Sequence, residues 1–213
     1  MGSNVKPTKI TDNISYIKAS ENPLSADIGI VEGEKQVFIF DVGSNEKVLE
    51  YINNIDIGSK KKVIVLSHFH GDHISNIHNV VFDKLYVGKE TYKHIGMGEI
   101  VDEKTDVSVN DGKISVQIKY LPNSHCKGSL IMIVNHKYTF MGDAIYAKQI
   151  GKDKGYNVSI LAEQIRILKE IDTEYFCVSH KKKYVVTKKI IIDFLESIYA
   201  KRKQGEAYIC QDM

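Results

Sequence analysis

The feature that most constrains this chain is a cluster of metal-ligating side chains directly after a short apolar run. The cluster reads His68-Phe69-His70-Gly71-Asp72-His73 and contains three of the eight histidines in the chain. The preceding run, Lys62 to Leu66, is rich in β-branched residues and predicts a buried strand. The cluster therefore follows the carboxyl end of a strand, the sheet edge at which α/β proteins bind ligands. Imidazole and carboxylate groups at such an edge favour zinc, iron or copper.

Composition sets the broad class of the protein. The chain has 213 residues, of which 43% are hydrophobic and 26% charged, so we expect a single globular domain over residues 1–213. The formal net charge of +2 gives no argument for a nucleic-acid or membrane partner. The scattered cysteines form no CxxC pair, and the segment Met1 to Ile14 contains no signal-peptide core. We therefore expect a cytoplasmic protein.

Apolar patterning predicts a mixture of strands and helices. Strands are predicted at 14–17, 28–31, 37–40, 62–66, 84–87, 114–121, 130–134, 138–141 and 175–178. Helices are predicted at 45–54, 89–95, 158–171 and 187–203. Ser44 is a candidate cap for the first helix. The polar segment from Gly96 to Asp111 is predicted to be either a lid or a plain surface loop.

Further potential metal ligands follow three of the later predicted strands. His125 comes after strand 114–121, Asp143 after strand 138–141 and His180 after strand 175–178. If the ends of these strands meet at one sheet edge, the three side chains converge on the earlier cluster. Such placement at three independent strand ends is harder to obtain by chance than the local cluster.

Taken in order, these residues resemble the pattern of the metallo-β-lactamase superfamily, in its glyoxalase II-like branch. The pattern appears as Asp41 after an early strand, the cluster His68 to His73, His125 with Gly128-Ser129, Gly142-Asp143 and His180. The resemblance covers nearly the whole chain. It implies an α/β fold of the four-layer αβ/βα sandwich type, with two mixed β-sheets flanked by helices.

The resemblance also implies a site for two divalent metal ions, with zinc preferred and iron or manganese as alternatives. His68, His70 and His125 would hold the first ion, whereas Asp72, His73 and His180 would hold the second. Asp143 would bridge the two ions, and Asp72 would also act in catalysis by orienting the attacking hydroxide. For Asp41, two roles stay open: it would either hold a ligand imidazole or cap the following helix.

Three other residues are weaker candidates for contact with substrate. Lys127 lies beside His125, and Lys182 belongs to the run Lys181 to Lys183 directly after His180. Either cation would attract an anionic substrate group, although exposed lysines of this kind are usually only solvated. Tyr146 follows Asp143 and would be able to form a hydrogen bond with a substrate oxygen.

Several activities fit this set of residues. The resemblance implies a metal-dependent hydrolase that uses a hydroxide held by two metals to attack an ester, thioester or lactone of a small molecule. The alternative is a persulfide dioxygenase-like oxidoreductase with one iron held by two histidines and a carboxylate, such as His70, His125 and Asp143. A phosphodiesterase or a β-lactamase ranks lower. The sequence leaves open whether the chain forms a homo-oligomer.

Overall fold

A computed structural model describes residues 5–211 of the chain. The first four and last two positions of the predicted 1–213 domain lie outside the described residues, and the extent of that domain stays a prediction. Two mixed β-sheets face each other, and helices cover their outer sides. The predicted α/β sandwich of the metallo-β-lactamase type is thus confirmed.

The first sheet is formed mainly by the amino-terminal half. Its strands are β1 (Thr8–Lys9), β2 (Ile14–Ile17), β5 (Ile28–Glu32), β6 (Gln36–Phe40), β7 (Lys61–Val65), β8 (Lys84–Gly88) and β9 (Glu99–Val101). They lie side by side in that same order. The pairs from β1 to β6 are antiparallel, whereas β6, β7, β8 and β9 run parallel to one another.

The second sheet comes from the carboxyl-terminal half. Its strands are β10 (Val107–Asn110), β11 (Ser115–Tyr120), β12 (Leu130–Val134), β13 (Tyr138–Gly142), β16 (Tyr175–Val178) and β17 (Val185–Thr187). They also lie in chain order, and β13 and β16 form the parallel pair. Smaller units are the hairpin β3 (Ser20–Glu21) and β4 (Leu24–Ser25), and a sheet of β14 (Lys148–Ile150), β15 (Asp153–Asn157) and β18 (Tyr208–Gln211).

The helices connect the strands and cover the sheets. They are α1 (Glu46–Asn54), α2 (Gly71–Ile74), α3 (Lys89–Ile95), α4 (Val158–Glu170) and α5 (Lys188–Tyr199), with a 3₁₀ turn at Ile77–Asn79. None of the helices between residues 5 and 211 is long and apolar enough to cross a membrane. The first helix is capped by Asn45, whose side chain accepts a hydrogen bond from the backbone of Lys47, and not by Ser44 as the sequence predicts.

The fold has four layers, namely two sheets with helices on the outer side of each, and three layers of buried side chains lie between them. In β7, Val63 and Val65 point between the two sheets, while Ile64 points toward the helices on the outer side. Both faces of this strand are therefore buried, which explains its uninterrupted apolar sequence. The outer face of the second sheet packs against α4 and α5 through residues such as Leu161 and Leu195.

The segment from Gly96 to Asp111, which the sequence predicts to be a lid or a surface loop, contains β9 and β10. Strand β9 forms one edge of the first sheet and β10 forms one edge of the second. The three residues of β9 and the four of β10 add backbone hydrogen bonds to existing sheet edges, and the rest of the segment forms turns and connections. Its polar character reflects this edge position, where only one face is covered.

Candidate metal centre

The predicted metal ligands meet where strands of both sheets end. In the first sheet, the parallel strands β6 and β7 lead directly to Asp41 and to the cluster that begins at His68. In the second sheet, the parallel strands β13 and β16 lead to Asp143 and His180. All seven predicted ligands come together here, in one group of His68, His70 and His125 and a second group of Asp72, His73, Asp143 and His180. Within each group the potential ligand atoms lie within 4.8 Å of one another.

The first group consists of imidazoles whose free nitrogens converge. The His68 Nδ1 lies 2.9 Å from the Ser67 hydroxyl, and the His125 Nδ1 lies 3.3 Å from the carbonyl oxygen of Ala147. When these Nδ1 atoms donate, each Nε2 is left with a lone pair for a metal. The His125 Nε2 lies 3.1 Å from the Nδ1 of His70, so two ligand atoms of different rings point at the same place.

The second group combines imidazoles and carboxylates. The short helix α2 starts directly after His70 and presents Asp72 and His73 on successive positions. The Asp72 Oδ2 lies 2.9 Å from the His180 Nε2 and 3.5 Å from the His73 Nε2. His73 is fully buried, whereas the side chain of Asp72 is 18% exposed. Asp72 therefore faces both the metal ligands and the solvent-accessible side of the site.

Asp143 lies between the two groups. Its Oδ2 is 3.4 Å from the His125 Nε2 in the first group. Its Oδ1 is 3.4 Å from the His73 Nε2 and 3.8 Å from the His180 Nε2 in the second. One carboxylate thus directs one oxygen to each group, which is the arrangement a bridging ligand requires.

Asp41 holds His73 from the side away from the ligand nitrogens. Its Oδ2 accepts hydrogen bonds from the His73 Nδ1 and the Ser67 hydroxyl, both at 2.8 Å, and its Oδ1 accepts one from the Ser67 backbone at 2.7 Å. Asp41 is completely buried and does not cap α1. Gly142, with φ at +53°, allows this packing, because a Cβ atom there would lie 2.6 Å from the Ser67 hydroxyl.

The two groups differ in electrostatics. In the first, burial and the neighbouring imidazoles hold the pKa of His68 well below its usual value, and burial also lowers the pKa of His70 and His125. In the second, burial opposes the charged form of His73, but the carboxylates of Asp41 and Asp143 outweigh it and raise its pKa to about 10. The first group is therefore neutral at pH 7, whereas the second attracts positive charge.

Buried atoms without a hydrogen-bond partner test whether a metal fits. Within residues 5–211, the His68 Nε2, the His73 Nε2 and the Asp143 Oδ1 are buried and have no hydrogen-bond partner. Such orphaned atoms are costly unless something else satisfies them. Imidazole nitrogens and carboxylate oxygens are the donors that zinc and iron prefer. The residues therefore fit two cations, one in each group.

A cleft of about 670 Å³ opens on the second group. Asp72, Asp143 and His180 form part of its wall, and Lys182 lies on its exposed rim. Lys127 does not line this cleft; it lies in a separate cavity beside Glu90. The Tyr146 hydroxyl donates a hydrogen bond to the backbone carbonyl of Ser179 at 2.6 Å, so its proton is already engaged within the protein.

Three residues of the site were missed by sequence reasoning. Ser67 connects Asp41 with two of the ligand imidazoles. Asp27 and Ser179 form hydrogen bonds with each other and are both buried. Ser67 is adjacent to the cluster, so its position was a usable signal. Asp27 precedes an antiparallel strand, and only the pairing of β5 with β6 brings it to the edge where β6 ends.

Comparisons with known proteins agree with this geometry. A family model described as the metallo-beta-lactamase superfamily matches residues 22–180. A metallo-beta-lactamase from Pontibacter korlensis has a similar structure, with a TM-score of 0.66 at 16% identity over 93% of this chain and 100% of that one. A comparison with curated protein sequences found no match.

Similar structures also include an oxidoreductase and a flavodiiron protein. The rubredoxin oxygen:oxidoreductase from Desulfovibrio gigas has a TM-score of 0.69 at 13% identity over 92% of this chain. The flavodiiron protein from Giardia intestinalis has a TM-score of 0.67 at 12% identity over 94% of this chain. The chain spans 62% and 61% of the length of these two proteins, and at such identities the likeness shows the fold alone.

Proposed function

Because the chain belongs to the metallo-β-lactamase superfamily, we propose that it is a metal-dependent hydrolase acting on an ester, thioester or lactone of a small molecule. The observation that carries this proposal is the position of Asp143, which directs one oxygen toward each of two groups of ligands. A site for a single ion would not require that division. The proposed cofactors are two divalent cations, preferably zinc.

Each group would hold one cation. His68, His70 and His125 would hold the first. Asp72, His73 and His180 would hold the second, and Asp143 would contribute to both. When bound, two such cations make water a nucleophile near neutral pH and polarise a carbonyl oxygen.

Asp72 is the proposed catalytic residue. The pKa of its carboxyl group lies below the usual value because, although burial opposes ionisation, the hydrogen bond with His180 and the charge of His73 outweigh it. Asp72 is therefore ionised in the metal-free protein, and bound cations would favour the same form. Its carboxylate would then accept a hydrogen bond from the attacking water. It lines the cleft, so it reaches the space into which a substrate carbonyl would enter.

The cleft suggests the size and charge of the substrate. A volume of about 670 Å³ suits a small molecule. Lys18 and Lys182 lie on the exposed rim with Glu21 as the opposing charge, whereas the Lys181 ammonium lies 5.4 Å over the ring of Phe194 on α5. On the rim, two exposed lysines thus stand against one glutamate, and bound cations would offset the carboxylates of Asp72 and Asp143 in the wall. This balance favours a substrate that carries an anionic group beside its reacting carbonyl.

The test is metal quantification on protein purified without chelator, combined with thioester, lactone, β-lactam and phosphodiester substrates. We expect about two zinc ions per chain and hydrolysis of a thioester or lactone. His70→Ala should remove activity and lower the metal content, whereas His78→Ala, which changes an exposed histidine outside the site, should preserve both.

The main competing function is iron-dependent oxidation, because histidine and carboxylate ligands also suit iron. One iron per chain with oxygen consumption and no hydrolysis would overturn the proposal. Hydrolytic activity that survives His70→Ala would also contradict it. Preferential cleavage of the β-lactam or the phosphodiester would keep the metal site but replace the substrate class.

A further inference from the structure

A buried carboxylate outside the ligand groups contacts the turn that carries His180. Asp27 precedes β5 and is only 3% exposed. Its Oδ2 accepts a hydrogen bond from the backbone nitrogen of His180 at 3.0 Å and lies 3.3 Å from the donating hydroxyl of Ser179. The backbone nitrogen of Asp27 donates to the same hydroxyl oxygen at 2.9 Å. Three hydrogen bonds thus connect Asp27 with this turn.

The turn needs such support because its backbone is strained. His180 has φ at +59°, in the left-handed region that a residue with a Cβ atom rarely adopts because that atom crowds the neighbouring backbone. This conformation directs the imidazole back into the site, with its Nε2 at 2.9 Å from the Asp72 Oδ2. A strained conformation persists only when the surrounding structure holds it. The bond from His180 to Asp27 restrains the strained residue itself.

We propose that Asp27 is a positioning residue that holds His180 in its ligand conformation. The inference rests on the proposed function, since it takes His180 to be a metal ligand. The other oxygen of Asp27, Oδ1, accepts a hydrogen bond from the backbone nitrogen of Ala19 at 3.1 Å. Asp27 therefore fixes His180 relative to the segment that leads into the β3–β4 hairpin at the rim of the cleft.

The substitution Asp27→Asn tests this role with little change in shape. An ionised carboxylate accepts on both oxygens, whereas an amide accepts on one and donates from the other position. In either orientation, the amide nitrogen of the variant would face the N–H of Ala19 or of His180. One hydrogen bond is therefore replaced by an unfavourable contact between two donors, and in both orientations residue 27 no longer connects His180 with the Ala19 segment.

The measurement is a titration of metal-free protein with zinc in competition with a chelating indicator, which resolves two binding steps. Loss of a residue that orients a ligand typically weakens metal binding by about 10- to 100-fold. Because Asp27 acts on the backbone of His180 and not on its ring, we expect the zinc affinity of one binding step to fall about tenfold and that of the other step to stay unchanged. His180→Ala should weaken the same step.

Asp111→Asn is the matched control. Asp111 is also 3% exposed, and its carboxylate accepts backbone hydrogen bonds from Lys35 at 2.9 Å and Gln36 at 2.8 Å. These residues lie at the beginning of β6, whereas the ligands lie beyond the carboxyl end of that strand, on the other side of the sheet. The control should therefore lower the denaturant midpoint without changing either zinc-binding step.

The outcomes separate the inference from the proposed function. Two unchanged binding steps in Asp27→Asn, or equal weakening of both, would overturn the positioning role and leave the metal site intact. A wild-type protein that fails to bind two ions would overturn both proposals. If Asp27→Asn does not fold, Ser179→Ala removes only the hydroxyl contacts with Asp27. It should weaken the same step by a smaller factor, and no effect would refute the inference.

Discussion

Replacing Asp41 by Asn tests whether the buried carboxylate behind His73 supports metal binding. Asp41 accepts hydrogen bonds from the Ser67 backbone at 2.7 Å, and from the Ser67 hydroxyl and the His73 Nδ1 at 2.8 Å each. Asparagine has nearly the same shape but only one acceptor oxygen. If that oxygen stays with the Ser67 backbone, the amide nitrogen faces the His73 Nδ1.

The expected loss of zinc affinity in Asp41→Asn depends on which nitrogen of His73 carries the proton. A ligand imidazole that binds through Nε2 carries its proton on Nδ1, so the amide of the variant would meet another donor. The alternative tautomer would remove the Nε2 lone pair, which also opposes binding. A hydrogen bond to a charged group contributes about 1.5–3 kcal/mol. Since about 1.4 kcal/mol corresponds to tenfold, we expect zinc affinity to fall by roughly 10- to 150-fold.

The assay is the zinc titration against a chelating indicator, with the denaturant midpoint of the metal-free protein measured in parallel. The step that involves His73 should weaken, while Asp111→Asn should lower the midpoint without affecting either step. Wild-type zinc affinity in both steps of Asp41→Asn would refute the reasoning. It would mean that the hydrogen bond at 2.8 Å does not orient the ligand.

Three further predictions concern packing, the cleft and pH. Gly142→Ala should lower the free energy of unfolding by about 1–3 kcal/mol more than Gly58→Ala. Both glycines have positive φ, but only at position 142 would the added Cβ crowd a buried serine. Equal urea midpoints for the two variants would contradict this. Lys182→Ala should raise the KM of an anionic substrate about two- to fivefold more than that of a neutral analogue, whereas Lys127→Ala, in a separate cavity, should change neither. Equal KM changes for both substrates in steady-state kinetics would show that Lys182 does not attract the anionic group. The pKa of His73 is raised to about 10 from a usual value near 6.5, so protonation of His73 stabilises the metal-free protein fully below pH 6.5, and this stabilisation is lost toward pH 10. Between these pH values, the denaturant midpoint should fall more steeply without zinc than with it. Equal slopes with and without zinc would count against this assignment.

Most main elements were predictable because their signals are local. The strands 14–17, 130–134 and 175–178 and the helix 89–95 have the predicted boundaries. Each is marked by an apolar run or a stripe with helical spacing. The closing helix ends at Tyr199 and not at residue 203, because polar residues continue there without new apolar contacts. The sheet of β14, β15 and β18 was missed because β14 and β15 form a short, mostly polar hairpin, and because β18 pairs with β15 only across a long sequence distance.

The sequence by itself determined which side chains follow the ends of strands, since β-branched runs and the residues after them are adjacent in the chain. The pattern from His68 to His73 needed no further information. Only the tertiary structure decided how the later strands face the first sheet and which residues support the ligands. Asp27 and Ser179 are 152 positions apart, and their contact depends on sheet pairing and on packing between the sheets. Local chemistry selects the ligands, whereas long-range packing selects the groups that hold them in place, because those contacts exist only once both sheets have formed.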